Sequence, residues 1–257
     1  MPIDPLAERA FGARADDYER HRPGWPAEAV EQALAGVGAG PESTVVDLAA
    51  GTGKLTRALV PRVARVIAVE PSADMRVQLE ARVPEAEVAA GTADALPLGD
   101  ESVDAVVVGE AFHWFCTPEA VAEIARVVRP GGGLAMLWNA HDFGSEPWVR
   151  AMGELLDSRR APGVTPINRK QTGLWKRVFD DSQFEPLSPP FRMRQEQRTD
   201  VDGLVAHIST WSFVGALDEE PRAALQRDLA DLLRREHPSP ADVAIPYRTD
   251  VYWTRRR

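Results

Sequence analysis

The sequence predicts an α/β protein, in which a mostly parallel sheet carries helices on both faces and a helical cap lies beside it. Three observations lead to this fold class. Short apolar runs rich in β-branched residues alternate with helix-length segments between residues 42 and 139. Turns containing glycine, proline or an acidic residue follow these runs. The chain of 257 residues is long enough for one large domain with an added cap.

The first part of the chain contains the repeating strands and helices. An amphipathic helix is predicted over residues 5–20, and a turn-prone segment rich in proline follows it. The strands predicted after it are 44–48, 66–69, 88–91, 103–108 and 134–138. The helices predicted before and between them are 27–34, 54–60, 73–82 and 118–128. Parallel strands need such helical crossovers, which are right-handed in almost all proteins.

This alternation ends after Asn139. Residues 145–182 are predicted to be helical, with a polar, proline-bearing interruption. The remaining predicted elements are a strand over 184–197, helices over 202–214 and 221–236, and a final strand over 243–253. We therefore expect four parts: an N-terminal helical segment (1–40), a core (41–140), a helical cap insertion (141–183), and the remaining strands with a second lid helix (184–257).

The composition excludes several classes of protein. Hydrophobic residues make up 44% of the chain and charged residues 27%, which excludes a disordered chain. The single cysteine, Cys116, excludes an internal disulfide framework and a multi-cysteine zinc site. No apolar run approaches the roughly 20 residues of a membrane span. The N-terminus lacks a signal-peptide pattern, so we expect a cytoplasmic protein without a membrane partner.

The negative charge is placed unevenly along the chain. The net charge of −9 disfavours a nucleic-acid partner, because phosphate contacts need clustered Lys and Arg. Residues 1–140 hold 12 Lys and Arg against 21 Asp and Glu, whereas residues 141–257 hold 18 of each. The whole imbalance belongs to the first part, which indicates two differently built regions.

The loop after the first predicted strand, residues 47–54, is compatible in outline with three glycine-loop chemistries. A phosphate-binding loop needs Ser or Thr where Leu55 stands, and a dinucleotide fingerprint needs a glycine where Thr56 stands. The third chemistry fits: an acidic strand end followed by Gly-x-Gly lets the backbone approach a nucleoside while the carboxylate meets a cationic group. In a doubly wound sheet, ligands bind at this edge.

Residues 45–53, Val-Val-Asp-Leu-Ala-Ala-Gly-Thr-Gly, resemble the first motif of the class I methyltransferases, which use S-adenosylmethionine. Ala49 stands in place of that motif's usual first glycine. Further matches follow in the family's order over about residues 40–140. They are Glu70 after the second strand, residues 91–97, Glu110 after the fourth strand, and residues 129–132 before the fifth. The resemblance implies a Rossmann-like sheet of seven strands.

The resemblance also implies a set of residues that bind S-adenosylmethionine. Glu70 would accept hydrogen bonds from the ribose hydroxyls, Asp94 and its neighbours would meet the adenine, and Glu110 would lie beside the methionine portion. The implied cofactor-binding residues are Tyr18, Arg22, Asp47, Ala49, Gly51, Gly53, Glu70, Pro71, Met75, Thr92, Ala93, Asp94 and Glu110. Two other interpretations stay open: Asp47 and Glu70 as helix N-caps or turn formers, and Asp94 as a solvated loop carboxylate.

Residues 18–26 and 110–115 resemble a small-molecule subgroup of this family, the type 11 and trans-aconitate methyltransferase-like enzymes. In that subgroup the N-terminal segment folds over the cofactor. Tyr18 and Arg22 would then cover its methionyl part, because a guanidinium suits a carboxylate. A proline-rich packing segment is the alternative interpretation.

Candidate acceptor residues follow the fourth and fifth strands. His113, in Ala-Phe-His-Trp-Phe, stands where the subgroup faces the transferring methyl group and is the candidate catalytic residue. It would accept a proton from the acceptor, although a packing role is the alternative. The predicted substrate-binding residues are His113, Trp114, Asn139 and Trp211. His141 is a weaker candidate, and the other histidines lack the spacing of metal ligands, so no metal site is expected.

The resemblance implies methyl transfer from S-adenosylmethionine to a small-molecule acceptor by in-line displacement. We favour an oxygen nucleophile, a hydroxyl or carboxylate, because His113 offers a base and the cap is aromatic. The alternatives are nitrogen or carbon methylation, an RNA methyltransferase, and a non-catalytic protein that binds S-adenosylmethionine. The alternating Arg192, Arg194 and Arg198 are interpreted as solvated surface, with a positive pocket for an acidic acceptor as the alternative.

Overall fold

Seven strands form one sheet in the computed structural model, which describes residues 22–159, 173–237, 239 and 241–257. The strands are β1 Thr44–Leu48, β2 Arg65–Val69, β3 Glu87–Ala89, β4 Val103–Gly109, β5 Val128–His141, β6 Phe191–Thr199 and β7 Val243–Arg255. Their order across the sheet is β3-β2-β1-β4-β5-β7-β6. Strands β1 to β5 are parallel, and β7 runs antiparallel to both β5 and β6.

Helices connect the strands and cover the sheet. They are α1 Ala27–Val37, α2 Lys54–Leu59, α3 Ala73–Arg82, α4 Pro118–Val127, α5 Pro147–Ser158, α6 Val201–Ser209, α7 Ser212–Gly215 and α8 Glu219–Glu236. Side-chain caps start several of them, since Ser72, Thr117 and Asp200 each accept a backbone N–H in the first turn of α3, α4 and α6.

The strands of the parallel part are buried on both faces. Successive residues of β4 alternate between two hydrophobic clusters, with Val106 and Val108 on the α4 side and Ala105 and Val107 on the α1 and α2 side. Double-sided burial explains why these strands read as continuous apolar runs rather than alternating ones.

A third hydrophobic cluster lies within the helical group, which we define as α5, α6, α7 and α8. Its buried side chains include Met152 of α5, Leu204 of α6 and Leu229 of α8, which pack against Ile245 of β7. The helical group therefore has its own core beside the antiparallel end of the sheet.

The predicted fold class is confirmed, because seven strands form a mostly parallel sheet with helices on both faces. The two strands that begin furthest from their predicted starts are β5 and β6. Strand β5 begins at Val128, which pairs with Val103 ahead of a register shift in the sheet. Strand β6 begins at Phe191 rather than residue 184, because the prolines before it lack the N–H that a strand ladder needs.

Two predicted elements fall partly or wholly outside the described residues. They are the helix over 5–20 and the middle of the helical segment over 145–182. The division into four parts remains a prediction. Within the described chain, no helix combines the length and apolar character needed to cross a membrane.

Candidate active site

Asp47 lies at the carboxyl end of β1 with 1% of its surface exposed. The hydroxyl of Thr56 donates to Asp47 Oδ2 over 2.6 Å. Burial raises the pKa of Asp47 to about 7; the Thr56 hydrogen bond opposes this and the nearby charge of Glu70 adds to it. The helix that follows is capped by Gly53 and not by Asp47, so the N-cap interpretation of Asp47 does not hold.

The loop between β1 and α2 has an unusual backbone. Ala49, Gly51 and Gly53 have φ values of 58°, 59° and 89°, in the left-handed region. The N–H groups of Ala49 and Ala50 both donate to the carbonyl of Val69, which ties the loop to the end of β2. Ala49 thus keeps the conformation for which a glycine is the usual residue, at a steric cost that glycine would avoid.

The two glycines of this loop serve different purposes. A Cβ at Gly53 would lie 2.3 Å from Leu79 Cδ1, so this position must be glycine for α3 to pack against the loop. A Cβ at Gly51 would meet only Met75 Sδ, at 3.8 Å. The Gly51 side of the turn is therefore open to the approach of a ligand.

Glu70 follows β2 and is 5% exposed. Its Oε2 accepts the N–H of Gly51 and its Oε1 accepts the N–H of Ser72, each over 2.9 Å. Burial raises the pKa of Glu70, and these two hydrogen bonds and the charge of Arg76 oppose that change. The cap of α3 is Ser72, so Glu70 is not an N-cap either. Pro71 lies in the turn before α3, and Met75 lies in the first turn of that helix.

The loop after β3 is held from outside by α4. Thr92 and Ala95 exchange backbone hydrogen bonds, which places Ala93 and Asp94 at the tip of a tight turn. Glu123 of α4 accepts the N–H of Leu96 over 2.8 Å. The Arg126 guanidinium, on the same helix, donates to the carbonyls of the loop and holds the pKa of Glu123 below its usual range.

Glu110 and Asn139 meet at the ends of β4 and β5. Glu110 has a φ of 61°, and its carboxylate accepts the backbone N–H of Asn139. The Asn139 side chain accepts hydrogen bonds from Gln195, over 2.9 Å, and from Thr249, over 2.6 Å. Asn139 thereby joins three strands, β5, β6 and β7, next to the predicted position of the methionine portion.

His113 occupies a single 3₁₀ turn, Phe112–Trp114, just after β4. The indole Nε1 of Trp138 donates to His113 Nδ1 over 3.3 Å. An indole N–H is a donor only, so Nδ1 accepts, and a neutral His113 then carries its proton on Nε2. The half-buried Trp114 ring lies beside the imidazole, with 5.1 Å between ring centroids.

Arg22 connects the loop after β1 with the helical group. Its carbonyl accepts Lys54 Nζ over 2.8 Å, and Lys54 is the first residue of α2. Its Nε donates to Thr210 Oγ1 over 3.2 Å, at the end of α6. We call this Lys54–Arg22–Thr210 connection the Arg22 bridge. Tyr18, the other residue predicted in this segment, lies outside the described residues.

A cluster of aromatic and histidine side chains that was not predicted from the sequence lies at the end of β5. His141 and His207 approach each other with 3.2 Å between their Nε2 atoms, although 66 residues separate them in the chain. The Tyr247 hydroxyl and the indole N–H of Trp211, a predicted substrate-binding residue, both contact His207 Nε2. The one available signal was the position of His141 after a strand that ends at the ligand edge.

The structure thus gathers most of the predicted residues at the carboxyl edge of the sheet. Asp47 lies near the carboxyl end of β1, and Glu70 and Glu110 directly follow its neighbours β2 and β4. His113 lies beyond β4, and Asn139 lies near the end of β5. The arginines of β6 instead face aspartates, with Arg192 paired to Asp250, Arg194 to Asp142 and Arg198 to Asp242. Over the described ranges, no group of three His, Cys, Asp or Glu could hold a metal ion.

Comparison with known proteins identifies relatives of the whole architecture. Residues 46–136 match the model of a methyltransferase domain family. An uncharacterized methyltransferase of Schizosaccharomyces pombe is 31% identical over 227 residues, which cover 88% of each chain. An uncharacterized methyltransferase of Mycobacterium tuberculosis is 44% identical over 147 residues, 57% of this chain and 58% of that one. The chain thus matches less than two thirds of the length of the mycobacterial relatives.

A solved structure shares the fold. It is a proposed type II methyltransferase from Anaeromyxobacter dehalogenans, with a TM-score of 0.71 over 91% of this chain and 97% of that chain. The sequence identity between the two is 22%, so the similarity concerns the arrangement of strands and helices.

Proposed function

The chain belongs to the class I S-adenosylmethionine-dependent methyltransferases, and from this premise we propose that it methylates an oxygen atom of a small-molecule acceptor. The observation that carries the cofactor-binding part of this proposal is the pair of buried carboxylates, Asp47 and Glu70, beside the open turn at Gly51. When bound, S-adenosylmethionine supplies an electrophilic methyl group, whose transfer replaces a carbon–sulfur bond by a carbon–oxygen bond.

The donor set at the strand ends fits this cofactor. Two carboxylates with raised pKa values carry a desolvation cost that a cationic, hydroxyl-bearing ligand would offset. Glu70 would hold the ribose, with the loop around Asp94 beside the adenine. Asp47, Glu110 and the Arg22 guanidinium would hold the methionyl end.

The proposed role of His113 is to contact the acceptor oxygen. The Trp138 contact favours the neutral form in which His113 Nε2 is a donor, so that nitrogen would align an oxygen rather than remove its proton. A carboxylate has no proton to lose before it attacks. Among oxygen acceptors we therefore favour a carboxylate, with its apolar body against Trp114 and Trp211.

The remaining residues would orient the reactants. Asn139 is fixed by Gln195 and Thr249, so its backbone can hold the Glu110 carboxylate in one position. Alignment of nucleophile, methyl group and sulfur is the main requirement of such a transfer, because the sulfonium is already activated. We propose that the helical group forms the cap that selects the acceptor.

The first experiment measures binding of S-adenosylhomocysteine by isothermal titration calorimetry. We expect heat with the wild-type protein; its absence would contradict the whole proposal. The second experiment incubates the protein with S-adenosylmethionine and cell metabolites, and looks by mass spectrometry for a gain of one methylene unit on carboxylic acids. A product methylated on nitrogen or carbon would contradict the oxygen assignment.

One variant and one binding titration test the remaining parts of the proposal. His113→Ala should bind S-adenosylhomocysteine like the wild type and lose turnover, whereas full turnover would remove His113 from the mechanism. Titration of bulk tRNA over a salt series tests the RNA alternative, because steeply salt-dependent, tight binding is the signature of phosphate contacts. We expect weak binding to tRNA.

A further inference from the structure

Three polar groups converge on one buried nitrogen between α6 and the ends of β5 and β7. His207 Nε2 lies 3.2 Å from His141 Nε2, 3.1 Å from the Tyr247 hydroxyl and 3.3 Å from Trp211 Nε1. His207 is 2% exposed and His141 is 9% exposed, so water has little access to the cluster. His141 and Tyr247 face each other across the β5–β7 ladder, which fixes one side of the cluster.

The donor and acceptor roles in this cluster follow from the indole. The Trp211 N–H can only donate, so His207 Nε2 must be an acceptor and His207 must be neutral, with its proton on Nδ1. The single lone pair of this nitrogen is then shared by the donors that face it, the Trp211 N–H, the Tyr247 hydroxyl and a His141 that carries its proton on Nε2. Protonated His207 would instead direct an N–H at the N–H of Trp211, and that contact would be lost.

Other groups pack around the cluster. Burial raises the pKa of Tyr247, so its hydroxyl stays protonated at neutral pH. The charges of Arg22 and Glu110 act on Tyr247 with opposite sign, and Asp142 directly follows His141 in the chain. Thr210 donates to the carbonyl of His207 over 2.6 Å and so fixes the end of α6 that carries Trp211.

We propose that neutral His207, supported by His141, is a positioning residue of the acceptor site that holds the indole of Trp211 in place, and that protonation of the histidine pair releases it. The inference rests on the proposed function, in which Trp211 forms part of the acceptor wall. A fixed indole presents a flat apolar face and would select acceptors with a planar or aliphatic body. Acceptor selection would then weaken in acid, once the histidine pair is protonated.

The test follows the indole N–H of Trp211 by NMR in protein labelled with ¹⁵N-tryptophan. Trp211→Phe identifies the resonance by its loss. In the wild-type protein we expect this resonance to shift as the pH is lowered from about 8 towards the acid unfolding of the protein. A Trp211 resonance that does not move before the protein unfolds would overturn the proposal without any variant of the histidines.

Two substitutions at one position sharpen the test. His207→Leu removes the acceptor, and hydrogen exchange of the Trp211 indole should become about tenfold faster. His207→Gln retains an acceptor oxygen and should preserve slow exchange. His237→Gln is the matched control, since His237 packs against Trp148 and should leave the Trp211 resonance unchanged. Equal exchange in folded His207→Leu and wild type would contradict the proposal; if His207→Leu does not fold, the wild-type pH titration decides.

Failure of this inference can be distinguished from failure of the proposed function. Binding of S-adenosylhomocysteine is measured on the same wild-type sample and does not involve His207. Absence of that binding would contradict the proposed function. The Trp211 titration would still test whether His207 holds the indole in place. Normal binding with an insensitive Trp211 would remove the positioning role alone.

Discussion

Two regions of the molecule differ in how far apart in the sequence their contacting residues lie. The regions are the carboxyl edge of the parallel strands and the helical group. At the strand edge, Thr56 binds Asp47 and Gly51 binds Glu70, across 9 and 19 residues of sequence. In and around the helical group, His141 meets His207 across 66 residues and Arg22 meets Thr210 across 188. The first region is therefore encoded by short motifs, whereas the second depends on the tertiary structure of this chain.

The two regions also treat charge differently. The strand edge buries carboxylates whose raised pKa values record an uncompensated desolvation cost. On β6, beside the helical group, the exposed arginines each face an aspartate. Buried carboxylates without a compensating cation are suited to bind a ligand that offsets their desolvation cost. The arginine–aspartate pairs of β6 already neutralise each other and leave no such cost to offset.

Asp47→Asn should have the largest effect of the predicted variants, and this effect is on the free energy of unfolding. The variant removes a carboxyl group that resists ionisation in the folded protein. The folded pKa of about 7 lies above the unfolded value of 3.8. Stability from the protonated carboxyl is full below pH 3.8 and is lost as the pH rises through 7. At pH 8 the variant should therefore be more stable than the wild type by about 2–4 kcal/mol.

Urea unfolding at two pH values checks this prediction. At pH 4 the two proteins should unfold with nearly equal free energies, and at pH 8 the variant should be the more stable. Binding of S-adenosylmethionine should tighten with rising pH through about 7 in the wild type only, since the cation needs ionised Asp47. A variant that is less stable at pH 8 would show that Asp47 is ionised and well paired in the free protein.

Glu70→Ala should weaken binding of S-adenosylhomocysteine by about 1–3 kcal/mol, since charged hydrogen bonds to the ribose would be lost. Isothermal titration gives this value directly. The matched control is Asp74→Ala, which removes an exposed carboxylate from the first turn of the neighbouring helix. Equal loss in both variants would indicate a general charge effect and not a ribose contact.

Glu123→Ala should have a smaller effect, because Glu123 acts on the cofactor only through the loop after β3. Loss of its hydrogen bond to Leu96 should weaken S-adenosylhomocysteine binding by about 0.5–1.5 kcal/mol. Glu119→Ala, on an exposed position of the same helix, is the control and should bind normally. Unchanged binding in Glu123→Ala would show that the loop keeps its shape without α4.

Ala49→Gly should have the smallest effect, in the stabilising direction. Glycine adopts a φ near 58° without the steric penalty of a Cβ, but it loses more entropy on folding. The balance is an expected gain of about 0.5–1 kcal/mol in the free energy of unfolding. Thermal unfolding measures it, and a decrease would mean that the Cβ of Ala49 makes contacts worth more than the strain.

The sequence predicted the strand edge well and the helical group poorly, for a physical reason. Glu70 could be placed at a ligand edge because its position follows from where a strand ends, which is a local property. The partner of His141 could not be predicted, since His207 reaches it only after α6 packs on β7. Arg198 likewise finds Asp242 through the β6–β7 ladder and not through spacing along the chain.

Ala49 shows a different limit of sequence reasoning. The replacement of the motif's first glycine by Ala49 was visible in the sequence, but the backbone conformation at this position was not. The structure keeps the left-handed conformation nonetheless, because the N–H groups of residues 49 and 50 both bind the end of β2. The surrounding hydrogen bonds determine this conformation more strongly than the residue type does.

The Arg22 bridge joins the proposed cofactor loop to the proposed acceptor side. Lys54 follows that loop and Thr210 ends α6, and Arg22 contacts both. Under the proposed function, a ligand that shifts the loop would also shift the preferred position of α6. Thermodynamic reciprocity would then require each ligand to change the affinity of the other by the same factor. The protein would bind its two substrates cooperatively, with the sign set by how the bridge responds.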